Sequence, residues 1–270
     1  MNKTILITGA TDGIGLACAK SLVLQGHTVL LHGRSEEKLA AAKAQLLTLM
    51  PNATVDTFLA DLSLLQNVAT LADSIIAKYK SLDVLINNAG VYVVPNTVSN
   101  ETLDIRFVVN TIAPYLLTKR LLTILTSHSR VVNLSSAAQS SLLAQELSQP
   151  STLSDTTVYA KSKLALTMWS RDMALSLEGK GPMVVAVNPK SFLGSKMVKQ
   201  AYGVAGSDVQ IGADVLIKAA LSEEFASANG LYYDNDIGQF AKPHSDALKP
   251  ELTAKLVATL EQILATKGLS

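Results

Sequence analysis

Tyr159-Ala160-Lys161-Ser162-Lys163 sets a phenol and an ammonium four residues apart. On a helix that spacing puts both side chains on one face. Free tyrosine is a poor base near neutrality, with a pKa of about 10. A neighbouring cation stabilises the phenolate and lowers that value. Such a pair can give a proton to an oxygen or take one from it, as interconverting a carbonyl and an alcohol requires. The spacing is weak evidence alone, because Tyr115-Leu116-Leu117-Thr118-Lys119 repeats it. Position separates the two. Tyr159 opens a helix downstream of Ser135-Ser136, whereas Tyr115 follows Pro114 well inside the previous helix and is expected to pack. Ser136, just past a strand, can offer its hydroxyl to a substrate oxygen, a polarising role and not a nucleophilic one. Ser135 is the alternative. No GxSxG elbow occurs, which disfavours a serine hydrolase. Asn110 sits on an apolar helix, where a polar side chain needs a reason.

These residues must be held by a scaffold, and the chain reads as short β-branched runs alternating with helical stretches. Strands are expected at 4–8, 28–32, 54–59, 84–87, 130–134, 183–187 and 230–233. Most are apolar throughout, as strands buried on both faces should be. Helices are expected at 14–25, 36–50, 64–80, 101–126, 158–178, 208–221 and 250–267. This alternation predicts an α/β, Rossmann-type doubly wound fold: a predominantly seven-stranded parallel sheet with helices on both faces. Ligands of such sheets lie beyond the carboxyl ends of the strands. With 270 residues, 48% of them hydrophobic, one domain spanning 1–270 can bury a sizeable core. Within it, 190–206 is expected as a substrate-covering lid and 236–270 as a C-terminal extension.

The charge balance of +1 argues against nucleic acid or an anionic membrane surface. No stretch is long and apolar enough to span a bilayer. Cys18 is the only cysteine, which excludes an internal disulfide and fits a reducing, cytoplasmic setting. Four histidines without HExxH or cysteine pairs suggest no metal.

The first strand ends in Thr8-Gly9-Ala10-Thr11-Asp12-Gly13-Ile14-Gly15. Glycines here permit a tight turn and close approach of a pyrophosphate to a helix N-terminus. The GxxxGxG spacing resembles the short-chain dehydrogenase/reductase family, and further strings extend the resemblance. Asn87-Asn88-Ala89-Gly90 matches the family's NNAG, and Val109-Asn110-Thr111-Ile112-Ala113-Pro114 is similar to its helix. The resemblance covers residues 4 to about 235. The long stretch 137–157 looks like the retinol dehydrogenase-like branch. The resemblance implies an oxidoreductase acting on CH–OH/C=O, with Asn110, Ser136, Tyr159 and Lys163 catalytic and Asn110 completing a water-linked proton relay. It implies cofactor contacts from Gly9, Thr11, Asp12, Gly13, Ile14, Gly15, Asp61, Leu62, Asn88, Ala89, Gly90, Tyr159, Lys163, Pro189 and Ser195.

Gly33 falls where the family's ribose-binding acid would sit, and Arg34-Ser35 follow. A guanidinium in place of a carboxylate favours a 2′-phosphate. NADP(H) is therefore expected over NAD(H), although Asp12 stands near where many NADP(H) relatives carry a base. The loop after the sixth strand departs from the pattern. Lys190 replaces the glycine of Asn-Pro-Gly, and Gly194 stands at the expected threonine with Ser195 one place later. Ser195 can substitute if the loop is one residue longer. Phe192, Leu193, Met197, Val198 and Tyr202 either line an apolar pocket or form a small packed helix.

The substrate is expected to be a small-molecule carbonyl or alcohol. The alternatives are an NADP(H)-binding sensor or scaffold with little turnover, and an extended-family epimerase or dehydratase. For the latter, about 35 residues after the last strand leave little room for a second domain. A homodimer or homotetramer through the helices at 101–126 and 158–178 is open.

Overall fold

The computed structural model describes residues 2–269. Its strands are β1 (Thr4–Ile7), β2 (Thr28–Gly33), β3 (Val55–Leu59), β4 (Leu82–Asn87), β5 (Leu125–Leu134), β6 (Met183–Asn188), β7 (Tyr232–Asp234) and β8 (Gln239–Ala241). Its helices are α1 (Gly13–Leu24), α2 (Glu36–Leu49), α3 (Leu65–Lys78), α4 (Ile105–Phe107), α5 (Ala113–Leu121), α6 (Asp155–Ser176), α7 (Lys196–Tyr202), α8 (Val209–Leu221) and α9 (Pro250–Thr266). The strands form one sheet in the order β3-β2-β1-β4-β5-β6-β7-β8. All neighbours pair in parallel except β7 and β8. The order reverses between β1 and β4, which opens a crevice at their carboxyl ends.

The apolar strands follow from burial on both faces. Ile5 and Ile7 of β1 enter one core cluster while Leu6 enters the other. Val29 and Leu31 alternate with Leu30 in the same way, as do Val84 and Ile86 with Leu85. Helices α1, α2 and α8 close the first face, and α3, α5, α6 and α9 close the second. Each such side chain removed from water contributes on the order of 1.5–3 kcal/mol.

Three expectations need correction. The sheet has an eighth strand, β8, inside the stretch expected as a C-terminal extension. The helix expected over 101–126 is shorter. It starts at Ile105, where Asp104 caps it by accepting from Arg106 N, because Thr102 takes a left-handed φ of 60° that no helix accommodates. It ends at Leu121, and β5 begins at Leu125, five residues before the expected strand. Thr123-Ile124-Leu125-Thr126 is rich in β-branched residues, and Ile124 O already accepts the Leu82 amide at the start of β4.

Candidate active site

Between β1 and α1 the chain turns through Gly9 and Gly13, whose φ values of 64° and 54° strain any side chain. At Gly15 a Cβ would lie 2.4 Å from Gly9 O and 2.6 Å from Asn88 Nδ2. Asp12 occupies the N-cap position of α1 but makes no capping hydrogen bond. Its carboxylate pairs instead with Lys196 at 2.9 Å. The first N–H groups of α1, at Gly13, Ile14 and Gly15, thus receive no acceptor from the cap. They stand at the positive end of the helix dipole, as a phosphate site requires. Thr11 lies against the end of β2, its Cγ2 2.6 Å from a Cβ built on Gly33. A side chain at residue 33 would have to displace Thr11 and Leu39.

Asn88 braces the turn. Its Nδ2 donates to Thr8 O at 2.8 Å and to Gly9 O at 3.0 Å, while Thr8 Oγ1 accepts from the Asn88 and Ala89 amides. Ala89 also presses on the turn, its Cα 2.9 Å from a Cβ built on Gly9. Asn87 points away, donating to Asn133 Oδ1 and Thr118 Oγ1 inside the sheet. A residue without a role in the sequence reading completes the brace. His32 Nδ1 accepts the Gly9 N–H at 3.2 Å, and Nε2 lies 3.1 Å from Ala60 O. One tautomer satisfies both bonds, with the proton on Nε2.

Along β3 and α3 a cleft of about 500 Å³ is lined by Arg34, Phe58, Ala60, Asp61 and Asn67, among others. Arg34 is exposed and forms no ion pair among the described residues. Ser35 caps α2 by accepting from Lys38 N. Asp61 Oδ1 accepts from Ser63 N, and Leu62 is buried in the core. The described cradle is glycine-lined, rich in backbone donors and edged by a guanidinium, so its residues fit a dinucleotide.

The acid/base candidates converge at the ends of β4 and β5. Ser154 caps α6 by accepting from Thr157 N at 3.3 Å, and Asp155 in the first turn complements the dipole. Tyr159 follows one turn in. Burial pushes its hydroxyl up to about 12, with a hydrogen bond from Ser136 acting in the opposite direction and Tyr202 and Tyr92 adding to the rise. Lys163 is buried under Tyr159, its Nζ 5.6 Å from the Tyr159 ring centroid and donating to Leu134 O at 2.7 Å. Burial lowers its ammonium to about 8. Ser136 is held from both sides: its Oγ accepts from Ala138 N and its carbonyl accepts from Tyr232 Oη. Ser135, the alternative, is buried and bonded to Thr167 Oγ1 at 2.7 Å, away from Tyr159.

Asn110 lies in a π-helical turn, Val108–Ile112, between α4 and α5. Its amide spans Val91 N, Val91 O and Ser162 Oγ at 2.8–2.9 Å. The side chain therefore ties NNAG to α6. Its carbonyl lacks an i+4 donor, because residue 114 is proline. The second Tyr/Lys pair is elsewhere: Lys119 Nζ donates to Glu261 Oε2 at 2.6 Å, and Tyr115 binds the same carboxylate and packs edge-on against Trp169.

The sequence profile of the short chain dehydrogenase family matches residues 3–203. The chain belongs to that family. It lies close to the retinol dehydrogenase-like branch and is, with the family, an oxidoreductase. Human retinol dehydrogenase 13 is 29% identical over 287 residues, covering 99% of this chain and 86% of the relative. Short-chain dehydrogenase TIC 32 A, chloroplastic, of Brassica napus is 29% identical over 253 residues, covering 85% and 79%. Among solved structures, angucycline C-6 ketoreductase LanV with bound NADP superposes with a TM-score of 0.68 at 26% identity, covering 86% of this chain and 93% of that one.

In this short-chain dehydrogenase the segment after β6 runs past the glycine turn and Gly90. Pro189 is buried, and Leu193 is buried against Gly212 of α8. Ser195 caps α7 and faces the glycine turn, its Cβ 3.9 Å from a Cβ built on Gly13. Met197 reaches Gly90, its Cε 3.8 Å from a Cβ built there. Val198 is half-buried on α7, none of whose residues is fully buried. Phe192 and Tyr202 pack edge-on at 5.2 Å.

Tyr92, which sequence reading passed over, lies 4.5 Å from the Tyr159 ring and shares a 3.0 Å hydroxyl contact with Tyr202. Its only sequence signal is its place two residues after NNAG. No helix of the described residues is long and apolar enough to cross a membrane. No cluster of three or more potential metal ligands occurs among them.

Proposed function

We propose that this short-chain dehydrogenase is an NADP(H)-dependent carbonyl reductase or alcohol dehydrogenase in which Tyr159 is the general acid/base. The observation that carries the reading is the convergence of Tyr159, Ser136 and Lys163 at the strand ends beside the Gly9–Gly15 turn. Gly9, Thr11, Gly13, Ile14 and Gly15 would hold the pyrophosphate, with Asp12 at the cap. Arg34 and Ser35 would hold the 2′-phosphate. Asp61 and Leu62 would border the adenine, Asn88–Gly90 the adjacent ribose, and Pro189 and Ser195 the nicotinamide side, with Tyr159 and Lys163 also reaching the cofactor. NAD(H) is the weaker alternative. When bound, the cofactor supplies or accepts the hydride.

In reduction, the Tyr159 O–H gives its proton to the substrate oxygen as the carbonyl becomes an alcohol; oxidation runs the transfer backwards. Ser136 Oγ donates to the same oxygen and polarises it. The Lys163 cation offsets the phenolate left behind, and the Asn110 carbonyl offers a water site through which the phenolate is reprotonated. With its hydroxyl raised by burial, Tyr159 carries at neutral pH the proton that reduction needs.

We read 1–270 as one such unit, with 190–206 as its lid and 236–270 as an extension that returns to the sheet. The lone thiol of Cys18 supports a reducing, cytoplasmic compartment. The α5/α6 face through which relatives pair is partly taken by α9, so a homodimer or homotetramer would have to use another surface.

A panel of aldehydes and ketones with NADPH tests the reading. Carbonyl-dependent NADPH oxidation is expected. Tight NADPH binding with no oxidation across the panel would favour the sensor or scaffold, for which Tyr92 lying across Tyr159 is the supporting observation.

A further inference from the structure

The loop that departs from the family pattern is also the most strained in the site. Lys190 has a φ of 113° and Phe192 a φ of 54°. Non-glycine residues are strained there and persist only where their surroundings hold them. The holding groups come from the β7–β8 turn. Asp236 Oδ1 accepts from Ser191 N at 2.9 Å, and Oδ2 accepts from Ser191 Oγ at 2.6 Å and from Asn188 Nδ2 at 2.9 Å. Asp234 Oδ1 takes a second bond from Asn188 Nδ2, and Asn235 donates through Nδ2 to Pro189 O and through N to Asn188 O. Every residue flanking Lys190 is therefore gripped by 234–236.

We propose that Asp236 is a positioning residue: it holds Lys190 in its left-handed backbone and so aims Ser195 at the dinucleotide turn. This rests on the cofactor reading above. The path is continuous. From Ser191 the chain reaches Leu193, buried on α8, then Gly194, whose N donates to Ser207 O. Ser195 then faces Gly13, and Lys196 pairs with Asp12. Burial acts to raise the Asp236 carboxyl. The Ser191 bonds, then Asn188 and Lys190, outweigh it and hold the group below the usual carboxylate range. The carboxylate thus stays ionised and acceptor-only, as three donors demand.

Two readouts test this. In amide hydrogen exchange, residues 192–196, whose amides do not bond Asp236 themselves, should exchange at least tenfold faster in Asp236→Ala than in wild type. In fluorescence titration, the same variant should bind NADPH at least tenfold more weakly. Lys190→Gly accepts the left-handed backbone without help, so Asp236→Ala/Lys190→Gly should return both readouts to within threefold of wild type. Asp236→Asn, which keeps the shape and one acceptor oxygen, should fall between and serves if the alanine variant does not fold. Unchanged exchange in the Asp236 variants overturns the proposal. So does unchanged NADPH affinity against a wild type that binds, or failure of Lys190→Gly to rescue. A wild type that does not bind NADPH overturns the cofactor reading itself.

Discussion

Arg34 lines the cleft and forms no ion pair among the described residues, and a side chain at Gly33 beside it would have to displace Thr11 and Leu39. A charge-assisted hydrogen bond to a phosphate contributes about 1.5–3 kcal/mol. Arg34→Asp should therefore lower the ratio of NADPH to NADH efficiency by roughly tenfold to a hundredfold. Steady-state kinetics with both cofactors measures it, and an unchanged ratio would remove Arg34 from the phosphate site. At this scale the sequence carried most of the site, because the motifs combine backbone need with chemistry. Glycine at 15 is dictated by the 2.4 Å approach of Gly9 O, and Asn88 by the carbonyls it bridges. Tyr92 and Asp236 were not legible: one is an ordinary aromatic after a turn, the other an acid in a hairpin. Their roles exist only through contacts distant in sequence.

At the scale of elements, His32 ties three of them: β2, the glycine turn and the end of β3. Burial pulls its imidazole down to about 4, against small rises from Ala60 O and Asp61. The ordinary value, 6.5, applies to the unfolded chain. Between those two values the unfolded state binds a proton that the folded state refuses. His32 therefore contributes stability above pH 6.5 that is lost as pH falls towards 4, in all about 3 kcal/mol. Protonation would also leave the Gly9 N–H without its acceptor. Thermal unfolding of wild type and His32→Gln between pH 4 and 7 should show curves that converge at the acid end. Curves that stay parallel would mean that His32 does not carry this linkage. The strand–helix alternation was legible because burial on both faces leaves a continuous apolar run. The true limits of α4 and α5 were not. Leu121–Thr126 continues an apolar pattern, and only pairing with β4 turns it into a strand.

For the whole molecule, the C-terminal segment decides what the second face can meet. Leu256, Leu260 and Leu264 of α9 are buried in the same cluster as Leu116 of α5 and Trp169 of α6. Glu261 binds both Tyr115 and Lys119, which converts the decoy pair into a clasp for α9. Light scattering in solution should accordingly find no oligomer that is broken by charge-reversing substitutions on the exposed rim of α5 and α6. An oligomer dissolved by those substitutions would contradict the arrangement.

The central claim is that Tyr159 moves the proton while the rest of the site holds the cofactor. Tyr159→Phe removes one oxygen and keeps the ring that packs on Tyr92. With a carbonyl substrate from the panel, kcat should fall by about 10²–10⁴, while NADPH affinity from titration stays near the wild-type value. Turnover within tenfold of wild type, with NADPH still bound, would contradict the account.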